Sequence, residues 1–244
     1  MRVTIAEPQP EQCERMSYGY TRDEPLMDPP DALADPLAMR LAEIIQGVRP
    51  GGRLPSERTL ATDLGVSRTA LRDRLRFLES AGILRRRSGS GTYVEALNPH
   101  ALTRTLGVAV TFSGLPADSL FAALDALDRQ ITREAAGNAD RGQLAHLLQA
   151  LNGMREIGQP GRALAAHQRF HDAMADAAAN PALSFLRAGV LGALRNARLV
   201  WPDRPDSADV DVPPGMYERH RRIYQAIAGH DPIGATAAFD AEHA

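Results

Sequence analysis

The chain has 244 residues, of which 28 are basic, 30 are acidic and 44% are hydrophobic. This length suits one or two domains, and the composition is that of an ordinary globular protein, which argues against a wholly disordered or fibrous chain. No apolar run reaches the ~20 residues that cross a bilayer, and the charged N-terminus lacks a secretory signal, so we expect a cytoplasmic protein without a membrane partner. The single cysteine, Cys13, excludes an internal disulfide and a cysteine metal cluster.

Aromatic residues make up only 5% of the chain, whereas alanine, leucine and arginine, which favour helices, are frequent. We therefore predict a mainly α fold. The charge is unevenly distributed along it. Residues 1–30 carry six acids, three arginines and five prolines, and are predicted to form a disordered acidic tail. Residues 49–94 carry ten arginines against four acids, a local charge of +6 that favours a polyanionic partner.

Three helical patterns and a hairpin pattern occupy residues 31–97, which we predict to be the first folded domain. Asp35 and the proline after it predict the start of the first helix, Ser56 caps the second and Ser67 caps the third. Because the connection between the second and third helices is so short, the two must cross steeply, as in a helix-turn-helix. Residues 83–94 predict two short strands joined by a Ser-Gly-Ser-Gly turn, so the module is a winged helix-turn-helix.

The third helix has a leucine stripe on one side and a separate stripe of arginines on the other, which includes Arg68 and Arg72. The start of a recognition helix reaches base edges in the DNA groove, so we expect one of these two arginines to contact a base. Arg58, on the second helix, is either a DNA contact or the ion-pair partner of Glu57 or Asp63. The remaining arginines fit phosphate contacts or a solvated basic face, which would position the protein without specifying a sequence.

Four runs of this domain carry a more specific signal: Pro50-Gly-Gly-Arg-Leu-Pro-Ser-Glu-Arg-Thr-Leu-Ala, Leu64-Gly-Val-Ser-Arg-Thr-Ala-Leu-Arg, Leu78-Glu-Ser-Ala-Gly-Ile-Leu and Gly89-Ser-Gly-Thr-Tyr-Val. Together they resemble the DNA-binding domain of GntR-type bacterial transcription regulators. Thr59 departs from that family's usual Glu, and Arg74 from its usual Ala. The resemblance implies a double-stranded DNA operator with these protein contacts: Arg58, Ser67, Arg68, Thr69 and Arg72, with Ser88 and Gly89 at a wing tip that enters a minor groove.

Residues 98–117 are interpreted as a linker, and six helical patterns follow in residues 118–244, where we predict an antiparallel all-helical bundle. Its histidines are the informative residues. His167 and His171 lie on the apolar stripe of one predicted helix, and His220 lies on that of another. Two histidines four residues apart, with a third from another helix, suit a divalent metal such as zinc or nickel in a bundle core. The alternative is that all three are ordinary core histidines.

The run His167-Gln-Arg-Phe-His171, the downstream Asn180 and the run His220-Arg-Arg-Ile-Tyr-Gln-Ala-Ile are similar to the FCD-type ligand-binding domain of FadR-like GntR regulators. The resemblance implies a small carboxylate effector, to which Asn180 is assigned, whereas a dimer is expected because two modules on inverted half-sites bind more tightly than one. The resemblance also implies a metal set of His167, His171 and His220 with Glu242 or His243 as a further ligand. His167 departs from the family's Asp and Glu242 from its last His, and either Leu124 or Asp125 falls where an Arg is common.

We therefore predict a homodimeric, sequence-specific transcription regulator, a repressor on an inverted-repeat operator, whose DNA affinity responds to the effector and which is not an enzyme. The main alternative is a helical metalloenzyme with an accessory DNA-binding module. That alternative needs a positioned general base, and the sequence has no Ser-His-Asp set, phosphate-binding glycine loop or HExxH motif. An architectural protein that binds DNA of any sequence is disfavoured because the basic stripe is confined to one compact module.

Overall fold

The computed structural model describes residues 36–155, 160–197 and 215–243. As predicted, the fold is mainly α: these residues form ten helices and one two-stranded sheet. The chain divides into two compact units, the first made of residues up to 76 with 87–94, and the second of residues 77–86 with those from 95 onward. No described helix combines the length and the apolar character that crossing a bilayer demands.

The N-terminal elements are α1 (Pro36–Gln46), α2 (Glu57–Leu64), α3 (Arg68–Ser80), β1 (Leu84–Arg87) and β2 (Gly91–Val94). Both predicted caps are present: the Ser56 hydroxyl accepts a hydrogen bond from the Thr59 amide, and the Ser67 hydroxyl accepts one from the Ala70 amide, each at 3.1 Å. Gly65 ends α2 at a φ of 66°, a left-handed conformation that glycine adopts without strain and that lets α3 begin at once. These elements are the predicted winged helix-turn-helix.

Seven helices follow: α4 (His100–Phe112), α5 (Ala117–Asn138), α6 (Arg141–Gly153), α7 (Pro160–Ala177), α8 (Pro181–Asn196), α9 (Met216–Ala228) and α10 (Pro232–His243). The last six match the six helical patterns of the sequence. Their core includes Phe170 and Met174 of α7, Ile131 of α5 and Ile223 of α9, all fully buried. His171 of α7 and His220 of α9 are buried among these residues, so the histidine stripes of both helices face inward as predicted.

Helix α4 differs from the expectation, because residues 98–117 were interpreted as a linker and no helix was predicted there. No residue of α4 is fully buried, but Leu102, Leu106 and Val110 follow one another at intervals of four residues and are partly buried, an apolar stripe that the sequence analysis missed. The helix packs against α8 at Gly189 and Gly192, where a methyl group would overlap the side chains of Leu102 and Thr103. Thr103 also donates a hydrogen bond to the Gly189 carbonyl at 3.3 Å. Close packing on glycines therefore holds α4 in place.

Candidate DNA-binding surface and histidine cluster

The start of α3 presents the side chains that the sequence assigns to DNA. Arg68 and Thr69 are exposed, and Arg58 is exposed on α2. Ser67 is also exposed, and its hydroxyl caps the helix, which orients the first turn of α3. The free amides of a helix start favour an anionic group, so this end of α3 suits a phosphate as well as base edges.

Arg72 is the least exposed of the predicted DNA contacts, because it forms an ion pair with Glu57. Its Nε and Nη2 atoms donate hydrogen bonds to one carboxylate oxygen of Glu57, at 3.2 and 3.0 Å. The side chains of Arg72 and Glu57 are 42% and 21% exposed. Glu57 was one of the two acids considered as a partner for Arg58, and the structure pairs it with Arg72. This contact between α2 and α3 orients the guanidinium.

Ser88 and Gly89 lie in the exposed turn between β1 and β2, as predicted. Gly89 has a φ of 69°, which favours glycine at the tip of the hairpin. The guanidinium of Arg87 lies 4.5 Å from the centre of the Tyr93 ring, a cation–π contact across the hairpin. The turn is thus an exposed projection with a basic group beside it.

Two other arginines of the basic segment have acidic partners. Arg85 forms an ion pair with Glu95, and Arg86 forms one with Glu79 at 3.2 Å. All four side chains are partly exposed, so these pairs stabilise the fold only weakly. These contacts neutralise part of the basic charge on β1.

The three histidines singled out in the sequence meet in the helical unit. One ring nitrogen from each of His167, His171 and His220 lies within 4.8 Å of the other two. His171 and His220 are buried, and their Nε2 atoms are 3.3 Å apart. The Nδ1 atom of His220 lies 2.9 Å from the backbone carbonyl of Met216, one turn earlier on α9. Its Nδ1–H therefore donates to that carbonyl, and its Nε2 lone pair points to the cluster.

A buried ion pair that the sequence analysis missed adjoins this cluster. Asp128 of α5 lies with one carboxylate oxygen 3.3 Å from Nδ1 of His171, and its other oxygen accepts a hydrogen bond from Nε of Arg187 at 2.6 Å. Burial raises the pKa of Asp128, but its contacts with His171 and Arg187 outweigh burial and hold the pKa below its ordinary value. The carboxyl group is therefore ionised.

A signal for this pair was present in the sequence. Asp128 lies one turn after Leu124 and Arg187 one turn after Leu183, each on the inward stripe of its helix. A charged residue on an apolar stripe is buried only when it has a partner of opposite charge, and these two supply each other. The sequence therefore indicates that each of the two needs a buried partner, and the packing of α5 against α8 supplies it.

Asn180 has a local structural role. Its side-chain oxygen accepts a hydrogen bond from the Leu183 amide and caps α8, while its side-chain nitrogen donates to Glu134 at 3.0 Å. Effector binding by Asn180 stays a prediction. The side chains of Glu242 and His243, the two residues expected to supply a further metal ligand, lie outside the described residues.

Comparison with known families identifies both units. The profile described as "Bacterial regulatory proteins, gntR family" matches residues 34–94, and that of the FCD domain matches residues 119–241. The chain belongs to the GntR family and carries an FCD domain. All seven predicted DNA contacts fall within the GntR match, and the three histidines with Asp128 and Arg187 fall within the FCD match.

Individual relatives agree with this assignment. The chain is 29% identical over 196 residues to the HTH-type transcriptional regulator LutR of Bacillus subtilis. The aligned region covers 78% of this chain and 88% of LutR. It is also 30% identical over 223 residues to the HTH-type transcriptional regulator Rv0494 of Mycobacterium tuberculosis. That aligned region covers 88% of this chain and 89% of Rv0494. A solved GntR structure from Streptococcus agalactiae matches 86% of this chain and 96% of its own at a TM-score of 0.59 and 24% identity, a likeness of fold.

Proposed function

We propose that this GntR-family protein is a homodimeric, cytoplasmic transcription repressor of the FadR-like branch, whose affinity for DNA is controlled by a small carboxylate bound in its FCD domain. The observation that carries the proposal is that a DNA-binding module and a candidate effector site occur in one chain. Residues 31–97 present a capped recognition helix with exposed arginines, and residues 118–244 enclose three histidines whose nitrogens converge. Residues 1–30 and 98–117 are assigned to a tail and to the connection between the two domains.

The DNA-binding part of the proposal divides the contacts by role. Arg68 and Arg72 lie on the first two turns of α3, which is where a recognition helix meets base edges, so they are assigned to base reading. The other assigned contacts position the domain on the DNA backbone or enter the minor groove: Arg58, Ser67, Thr69, Ser88 and Gly89. Two copies related by two-fold symmetry would read an inverted repeat.

The effector part of the proposal rests on metal binding by His167, His171 and His220. Two nitrogens bound tetrahedrally to zinc at about 2.0–2.1 Å lie roughly 3.3 Å apart. The Nε2 atoms of His171 and His220 are separated by 3.3 Å, so this pair fits a small divalent ion. Zinc or nickel suits an all-imidazole set better than magnesium or calcium does. When bound, the metal would act as a Lewis acid that holds a carboxylate oxygen of the effector.

The charges around the cluster agree with an anionic effector. A divalent metal with three neutral histidines carries a charge of +2, and the adjoining ion pair of Asp128 and Arg187 has no net charge. A buried excess of positive charge is costly, and an anion in the remaining coordination position removes part of this cost. A carboxylate therefore fits the site better than a neutral or cationic ligand.

A DNA-selection experiment on the purified full-length protein tests the regulatory function. We expect selection from random duplexes to recover an inverted repeat, and titration of the recovered DNA to show a change in affinity when a small carboxylate is added to the zinc-loaded protein. Recovery of no preferred sequence would contradict the regulator, and a preferred sequence whose affinity no carboxylate alters would contradict effector control alone.

A further inference from the structure

A chain of buried polar contacts leads from the histidine cluster to helix α8. Asp128 lies between His171 and Arg187, with one carboxylate oxygen directed to each of them. The side chains of all three residues are less than a tenth exposed. The imidazole of His171 thus has a different neighbour at each nitrogen: the carboxylate of Asp128 at Nδ1 and His220 at Nε2.

This arrangement determines which nitrogen of His171 carries the hydrogen. A neutral imidazole has one N–H and one lone pair, and an ionised carboxylate only accepts hydrogen bonds. The hydrogen of His171 therefore belongs on Nδ1, 3.3 Å from a carboxylate oxygen of Asp128, and the lone pair belongs on Nε2, which lies 3.3 Å from Nε2 of His220. The Met216 carbonyl imposes the same tautomer on His220. Both Nε2 lone pairs then converge, an arrangement that a cation stabilises and that is repulsive without one.

Arg187 completes the arrangement from the side of Asp128 that faces away from the cluster. Its Nε atom holds the second carboxylate oxygen at 2.6 Å, and its Nη1 atom donates to Asp172 at 2.9 Å. The side chain of Asp172 is 61% exposed, so the guanidinium of Arg187 connects the buried carboxylate of Asp128 to the surface of α7. A planar guanidinium bound at two points cannot turn freely, which fixes the position of Asp128 in turn.

We propose that Asp128 and Arg187 are positioning residues that hold His171 in its Nδ1–H tautomer and thereby set the affinity of the cluster for zinc. The inference rests on the proposed metal site. A carboxylate behind a metal-bound histidine also raises the basicity of the ligating nitrogen, and its removal typically weakens metal binding 10- to 100-fold. Neither residue needs to touch the metal.

The first experiment reads the tautomer directly in the full-length, metal-free protein. Long-range proton–nitrogen NMR spectra of the imidazoles distinguish the Nδ1–H from the Nε2–H tautomer, and His171→Gln assigns the signals of His171. We expect His171 in the Nδ1–H form at a pH where it is neutral. An Nε2–H form in the wild-type protein overturns the proposal, and this result does not depend on how any variant at Asp128 folds.

The second experiment measures zinc affinity by competition with a chromophoric chelator. We expect Asp128→Asn and Arg187→Gln each to weaken zinc binding by about 10-fold or more. The matched controls Asp118→Asn and Arg133→Gln make the same chemical changes at exposed positions on α5 and should leave the affinity unchanged. Wild-type affinity in a folded Asp128→Asn protein overturns the proposal. Wild-type protein that binds no zinc overturns the proposed metal site, whereas the tautomer of its His171 still decides the role of Asp128.

Discussion

Arg72 on the recognition helix donates hydrogen bonds from two of its nitrogens to a single carboxylate oxygen of Glu57 on the preceding helix. The arginine that we propose reads a base is therefore already oriented in the protein without DNA. Pre-orientation reduces the side-chain entropy that is lost on binding, which favours a specific contact over a loose one. The same contact ties the position of α3 to that of α2.

Replacement of Arg72 should reduce sequence discrimination more than overall affinity. Loss of a base contact costs about 1–3 kcal/mol at one position of the site, so Arg72→Ala should lower affinity for the selected operator far more than for random DNA. Arg76→Ala, one turn further along α3 at an exposed position, is the matched control and should weaken binding to both DNAs alike. Titrations with both DNAs at several salt concentrations measure this, and equal losses for Arg72→Ala on the two DNAs would contradict the assignment.

Glu57→Gln tests whether the ion pair assists base reading. The substitution keeps the shape of the side chain and removes its charge, so Arg72 loses its orientation while a negative charge near the DNA is also removed. A partly exposed pair of this kind is worth about 0.2–1 kcal/mol, so the ratio of operator to random-DNA affinity should fall about 1.5- to 5-fold. An unchanged ratio would show that the pair only stabilises the domain, and the melting temperature would report that effect separately.

Metal should stabilise the protein through the histidine cluster. A ligand at 100 times its dissociation constant stabilises the native state by about 2.7 kcal/mol, so zinc or nickel should raise the melting temperature of the wild type by several degrees. His171→Ala should abolish the increase, whereas His146→Ala, at an exposed position on α6, should retain it. Because coordination needs neutral imidazoles, the increase should shrink as the pH is lowered. Equal metal-induced shifts in wild type and His171→Ala would show that the histidines are ordinary core residues.

The ion pair of Asp128 should appear in the acid stability of the metal-free protein. Its native pKa lies below the ordinary value of about 3.9, so the carboxylate stabilises the fold above that pH, and the contribution is lost as the pH falls through the lowered native pKa. Breaking a buried pair costs about 3–5 kcal/mol, and Asp128→Asn should lie at the lower end because Asp172 still pairs with Arg187. Unfolding measured in chelator across the acid range should show the difference from wild type shrinking below about pH 3.9. A difference independent of pH would contradict this account.

The full-length protein should be a dimer in solution. Two modules that read an inverted repeat must be related by two-fold symmetry, and a linked pair binds far more tightly than one module alone. Light scattering should therefore give a mass about twice the 26.4 kDa of one chain. A monomer at micromolar concentration would count against the proposed operator symmetry.

The sequence predicted the parts of this fold that follow periodic patterns. The caps at Ser56 and Ser67 and the inward histidines all depend on spacing along one helix, which a sequence displays directly. Asp128 and Arg187 were missed because each is a charged residue on an apolar stripe, and only the packing of α5 against α8 shows that they meet. Helix α4 was missed for a different reason: its stripe of Leu102, Leu106 and Val110 lies in a segment interpreted as a linker, and all three residues are only partly buried.

The glycines of α8 give the helical unit a mechanical property. Arg187 connects α8 to the carboxylate behind the histidine cluster, and Gly189, two residues later, receives the side chain of Leu102 of α4 so closely that there is no room for a methyl group. A shift of α8 at its Arg187 end would therefore displace Leu102 and α4 with it. Helix α4 begins at His100, six residues after the wing's last strand ends at Val94. The contact of Leu102 with Gly189 thus couples the position of α4 to that of the helix that carries Arg187, within the helical unit.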